Sequence, residues 1–197
     1  MRARWRVDPL LDRTARGRTH TTFLVFHSPV AVPSLRCMDT PRLLRPSDGR
    51  VEPGSGQVTD RFLIDGSETG ERFSLVQHLF APRALAAPMH RHHLEDEYTY
   101  VLEGRIGAVL EGTEVTAEPG DLLFKPRGQW HTFWNAGDEP AEVLELISPA
   151  GLERFFRWLA GLQEEPAPEN LAEKARPFRC DVDPEATEAL MKRLEQS

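Results

Sequence analysis

The segment His90-Arg91-His92-His93-Leu94-Glu95-Asp96-Glu97-Tyr98-Thr99-Tyr100-Val101-Leu102-Glu103-Gly104 decides how this chain folds. Side chains on a strand alternate between faces, so His90 and His92 point the same way and can share one ion. Glu97 follows a short bend. Tyr98–Leu102 then carries the aromatic and β-branched residues of a strand that ends at the glycine turn Glu103-Gly104. Further along, Pro126-Arg127-Gly128 signals a turn into the strand-like run Trp130–Trp134, which contains His131. Three imidazoles and one carboxylate form the mixed donor set that suits one divalent transition metal. His90, His92, Glu97 and His131 are therefore the candidate ligands. Iron, manganese, nickel, cobalt, copper and zinc all accept that set.

Written as spacings, the two stretches read H-x-H-x4-E-x6-G and G-x5-P-x-G-x2-H-x3-N, the second running from Gly120 to Asn135. They resemble the two motifs of the cupin superfamily, with every ligand, glycine and proline position filled from His90 to Asn135. One position departs: Ala84 stands where the family pattern often has a glycine, which touches a local turn and not the ligands. The resemblance covers roughly residues 60–148 and implies a jelly-roll β-barrel. No internal repeat is visible, so it implies a monocupin. The run Ser148–Phe156 after the barrel is similar to the tail of small bacterial cupins related to flavonol (quercetin) dioxygenases. That likeness implies that Glu97 is both a ligand and the catalytic group that handles a substrate proton. Cupins often dimerise by strand exchange, so a homodimer is expected.

Around the motif, each remaining ionisable residue has a plainer reading. His93 has the wrong parity for the His90/His92 face and is expected to point outward. Glu95 and Asp96 read as a solvated acidic loop. His20, His27 and His78 carry no ligand pattern, so surface or core packing is the expectation for each. Parity from Glu97 puts Thr99 and Val101 on the inward face, and parity from His131 adds Phe133. A pocket lined by Thr99, Val101 and Phe133 is mostly apolar and suits a flat organic molecule better than a sugar phosphate. Lys125 and Arg127 are expected near its rim turn.

Outside the motif the chain reads as a run of short strands. Candidates are Phe62–Ile64, Phe73–Phe80, Ile106–Leu110, Glu114–Ala117, Leu122–Phe124 and Val143–Ile147. Gly66–Gly70 is expected as a turn, and Glu111-Gly112-Thr113 signals a hairpin. About nine strands with frequent turns argue an all-β sandwich or jelly roll. Leu152, Phe155, Phe156 and Leu159 recur at helical spacing, giving a closing helix that packs outside the barrel or forms a flap near its mouth. Residues 59–162 are thus barrel plus closing helix. Residues 163–197 are a linker and a last helix over Pro184–Gln196 capped by Asp183, a C-terminal helical extension.

Residues 1–58 look like a loop-rich extension. The first 37 residues hold seven arginines against two aspartates, and Met38 is read as opening the domain proper. A net charge of −7 argues against a nucleic-acid surface. No run approaches the ~20 apolar residues of a membrane span. Cys37 and Cys180 make no disulfide framework, which points to the cytoplasm. Three function classes fit a metal in an apolar barrel. They are an oxygen-dependent, quercetinase-like dioxygenase acting on an enolic or aromatic compound, a non-redox isomerase or decarboxylase, and a small-molecule binding module.

Overall fold

The computed structural model describes residues 41–53, 57–162 and 168–195. The extension over residues 1–37, with Cys37, His20 and His27, lies outside them, as do Met38 and the proline-rich linker over residues 163–167. Among the described residues eleven strands form two antiparallel sheets. In chain order they are β1 (Arg50–Pro53), β2 (Val58–Ile64), β3 (Ser74–Phe80), β4 (His90–His92), β5 (Asp96–Glu103), β6 (Ile106–Leu110), β7 (Thr113–Ala117), β8 (Leu122–Lys125), β9 (His131–Asn135), β10 (Ala141–Ser148) and β11 (Cys180–Val182). One sheet has the order β1-β2-β3-β10-β5-β8 and the other β11-β4-β9-β6-β7. This is an all-β jelly roll with a helical C-terminal extension.

Alternation writes the inside of the barrel. β10 reads buried and half-buried in strict turn, so Ala141, Val143, Glu145 and Ile147 face inward. The main core joins such positions from both sheets, among them Phe80, Val101, Ile106, Ala108, Leu123, Phe133 and Val143. The β6–β7 hairpin turns through Glu111 (φ 46°) and Gly112 (φ 79°), the two positive φ values that a two-residue loop between Leu110 and Thr113 requires. Gly107 is needed for close approach, because a Cβ there would lie 2.4 Å from the Trp134 ring.

Several expectations are revised. The stretch Gly66–Gly70 is not a plain turn but a short helix, α1 (Gly66–Thr69). Asp65 and Glu68 cap each other's backbone N–H groups there. The lead-in up to residue 58 contains β1, which pairs along β2 from Arg50↔Phe62 to Pro53↔Thr59. The closing helix is α2 (Glu153–Ala160), and the tail holds more than a linker and a helix. It contains α3 (Pro168–Ala175), the strand β11 and α4 (Pro184–Leu194). Asp183 does cap α4, accepting from Ala186 N at 2.9 Å. A second apolar cluster joins Phe62, Val76 and Ile147 of the barrel to Leu152, Phe155, Leu171, Ala175 and Cys180 of the tail. No helix among the described residues is long and apolar enough to cross a membrane.

Candidate metal centre and cavity

His90, His92, Glu97 and His131 are brought together as the sequence spacing requires. Their ligand atoms all lie within 4.8 Å of one another, and all four residues are buried. β4 supplies His90 and His92 on one face, and its neighbour β9 sets His131 directly across from His90. β5, in the other sheet, supplies Glu97 from across the barrel. The motif glycine Gly128 fixes the turn between β8 and β9 by donating its N–H to His92 O at 2.6 Å. Asn135, the last motif residue, ties the following loop: its amide donates to Ala81 O and Glu139 O, and its oxygen accepts from Gly137 N.

The nitrogen atoms are arranged for coordination. His90 Nδ1 lies 2.7 Å from Pro88 O, and His131 Nδ1 lies 3.0 Å from Gln129 O. A carbonyl only accepts, so each Nδ1 carries the proton and each Nε2 turns a lone pair to the centre. Both ring nitrogens of His92 are buried, and Nε2 lies 3.3 Å from Glu97 Oε1, longer than a good charge-assisted hydrogen bond. An ion between them would engage both atoms. The residues present therefore fit a divalent transition metal.

Charge is balanced below the imidazoles by a network absent from the motif. Glu97 Oε2 lies 2.8 Å from Lys125 Nζ and 3.1 Å from His131 Nε2, while Oε1 is 3.3 Å from His92 Nε2. Lys125 Nζ is also 3.1 Å from Glu145 Oε1, and Thr99 donates to Glu145 Oε2 at 2.6 Å. Register explains both contacts. Glu97 faces Lys125 across β5 and β8, and Thr99 faces Glu145 across β5 and β10. Burial disfavours the Glu97 carboxylate, but Lys125 and His92 outweigh it and hold its pKa well below the usual range. Burial pushes His90 and His131 down, keeping them neutral. Burial also opposes charge on His92, yet Glu97 prevails and pushes it up to about 10.

Lys125 is the main departure from expectation. It was placed near a rim turn, yet its side chain is fully enclosed in the barrel. Arg127 is exposed as expected and binds the Asp96 carboxylate through its backbone N–H, Nε and Nη2. Glu95 and Asp96 are thus not a solvated loop. Asp96 is paired, and Glu95 is buried, which raises its pKa. His93 points outward to Asp181 at 3.0 Å.

A cavity of about 140 Å³ opens on His90 and His92. Of the three expected pocket residues only Phe133 lines it. Thr99 and Val101 face inward, but Thr99 is spent on Glu145 and Val101 is fully packed in the core. The wall is completed by residues that parity could not reach: Phe155, Phe156 and Leu159 of α2, Cys180 of β11, and the pair Asp60 and His78. α2 accordingly covers the cavity instead of packing on the outside of the barrel. His78 was expected only as a packing or surface residue.

Residues 77–147 match the family described as Cupin_2, a cupin domain. These residues, a little over a third of the chain, are a cupin domain. Among curated proteins it is 34% identical over 89 residues to the tetracenomycin polyketide synthase protein TcmJ of Streptomyces glaucescens, covering 45% of this chain and 60% of TcmJ. It is 46% identical over 64 residues to the oxidoreductase iacF of Pestalotiopsis fici, covering 32% of this chain and 30% of iacF. The cupin chain thus spans less than two thirds of the length of either relative. Among solved structures, KdgF from Halomonas sp. superposes with a TM-score of 0.51 at 21% identity, over 58% of this chain and 99% of that one. The KdgF likeness shows the cupin fold alone.

Proposed function

We propose that this cupin is a metal-dependent enzyme acting on an enolic or phenolic ring by an oxygen-dependent, quercetinase-like route. The cavity carries the reading: an aromatic-walled space opens directly on two of the candidate ligands. An ion held by His90, His92, Glu97 and His131 would supply a Lewis acid with open positions for a substrate oxygen. Phe133, Phe155 and Phe156 hold a flat ring, and α2 keeps water from it. Glu97 serves first as a ligand, because both of its oxygens already face cationic or imidazole partners.

Size narrows the substrate. An apolar cavity of roughly 150 Å³ holds one benzene-sized ring. A space of about 140 Å³ therefore favours a monocyclic phenol or a small 1,3-dicarbonyl over a three-ring flavonol, or takes one ring of a larger molecule. The names of TcmJ and iacF, a polyketide synthase protein and an oxidoreductase, support an enolic, oxidisable compound. A non-redox isomerase or decarboxylase is the second reading, because a bound ion can polarise a substrate oxygen with no redox step.

The test is oxygen consumption by protein reconstituted with each candidate metal in turn, on monocyclic phenols, 1,3-dicarbonyls and flavonols. Uptake is expected for the single-ring compounds. Substrate conversion without uptake would move the assignment to the non-redox class. Binding without any conversion would make it a binding module.

The same reading includes a homodimer. The outer face of β5, β8 and β10 presents Tyr98, Tyr100, Leu122, Leu144 and Leu146, with Phe124 stacked on Tyr98 at 5.0 Å. An uncharged face lets two copies of a chain of net charge −7 meet without repulsion. Light scattering is expected to give a dimer that Leu122→Glu converts to a monomer; a monomeric parent chain would remove this part.

A further inference from the structure

The Asp60–His78 pair has no place in the metal site, yet it lies in the wall of the same cavity. Asp60 on β2 sits directly across from His78 on β3, and His78 Nδ1 lies 2.7 Å from Asp60 Oδ1. Both residues are buried. Phe80, Phe133 and Phe156 surround the imidazole edge-to-face, with ring centroids 5.7 to 6.4 Å away. Such a shell fixes the ring's orientation. A carboxylate only accepts, so Nδ1 carries the proton shared with Asp60 and Nε2 is the ring's remaining polar atom.

The geometry points to His78, oriented by Asp60, as the proton acceptor for a hydroxyl of the ring bound in this cavity. The inference rests on the cavity being the ligand site, and it specifies the ligand as a hydroxylated ring with an acidic O–H. In the step, the ligand O–H bond breaks and its proton passes to His78 Nε2. The electron pair stays on the ligand oxygen as phenolate or enolate, and the imidazolium is balanced by Asp60. No oxidant is consumed. Glu97 is poorly placed for this task because Lys125, His92 and His131 already engage it. Burial opposes charge on His78, but the Asp60 carboxylate outweighs it and raises the pKa, so the imidazolium is stabilised. Glu145 on the adjacent β10 also raises this pKa, and Lys125 on β8 lowers it.

The test compares 4-fluorophenol with 4-fluoroanisole, which has the same ring but no acidic proton. Binding is followed by fluorine NMR on both the metal-loaded and the chelator-treated full chain. 4-Fluorophenol is expected to bind at least about tenfold more tightly than the ether, as a hydrogen bond to a charged group implies. Its bound shift should move toward that of the phenolate, with or without metal. His78→Phe should abolish both the preference and the shift while keeping the metal content and the affinity for 4-fluoroanisole. Asp60→Asn should weaken both effects in the same direction, and it serves if His78→Phe does not fold. Equal binding of the two probes, or an unchanged preference in the variants, would overturn the role of His78 and leave the cavity reading intact. Binding of neither probe would overturn the cavity reading itself, and this inference with it.

Discussion

Replacing Lys125 by Met leaves an unbranched side chain one atom shorter and removes the only positive charge among the described residues that touches both Glu97 and Glu145. At an effective dielectric of about 20, the contacts at 2.8 and 3.1 Å correspond to attractions of about 6 and about 5 kcal/mol. Burying the three charges costs several kcal/mol apiece, so the net worth of the group is far smaller than those sums. Removing one partner is different, because it strands two carboxylates inside the barrel. Breaking a buried pair this way costs about 3–5 kcal/mol. For a chain of this size that corresponds to a fall in Tm of about 6–20 °C. Calorimetry or circular dichroism in the presence of a chelator measures it. Loading the protein with zinc should shrink the gap, since the ion's charge then faces Glu97 in place of the lysine. Adding Glu145→Gln to the variant should recover part of the loss by removing one stranded charge. A Tm within about 3 °C of the parent chain, or a loss identical with and without zinc, would refute the view that Lys125 is the counter-ion of the site.

His92→Ala and His131→Ala should each lower metal affinity more than about 100-fold, since loss of an outer partner alone costs 10–100-fold. His93→Ala should keep its metal, with elemental analysis as the measure; the reverse pattern would show that the register of β4 is misassigned. Gly107→Ala should drive a methyl into the Trp134 ring and lower Tm by about 2–12 °C, the equivalent of 1–3 kcal/mol of overpacking. The raised pKa of His78 gives a pH signature. A raised value adds stability that is fully present below the ordinary histidine pKa of about 6.5 and is lost as pH rises through the folded value. Urea unfolding of His78→Gln should therefore show a larger deficit against the parent chain at pH 6 than at pH 9.

The cluster of candidate ligands was legible because the sequence shows it twice over, as strand parity at His90 and His92 and as fixed turn residues before His131. Inward facing was legible too: Thr99, Val101 and Phe133 all point into the barrel. Parity gives a side chain's face but not which part of the interior is hollow, and that is why Thr99 and Val101 turned out to be packing residues. The cavity wall comes from α2 and β11, elements that reach the site only through long-range contacts. Lys125 was hidden by its own strand. In Leu122-Leu123-Phe124-Lys125 one parity is wholly apolar and the other holds the lysine, so the local pattern turns the lysine outward, the reverse of what the strand does. A signal did exist in Glu145, a charge at the centre of the row Val143, Glu145, Ile147, which demanded a buried partner.

β11 lies directly on β4, pairing Cys180 with His92 and Val182 with His90. Arg91 reaches Asp181 across 90 positions of chain. A ribosome adds roughly 5–20 residues per second, so the strand that flanks two of the ligands emerges about 5–20 s after the ligands themselves. Throughout that interval the nascent barrel has an open edge beside its histidines. Until the tail arrives, the edge of β4 that carries two of the candidate ligands has no strand to cover it.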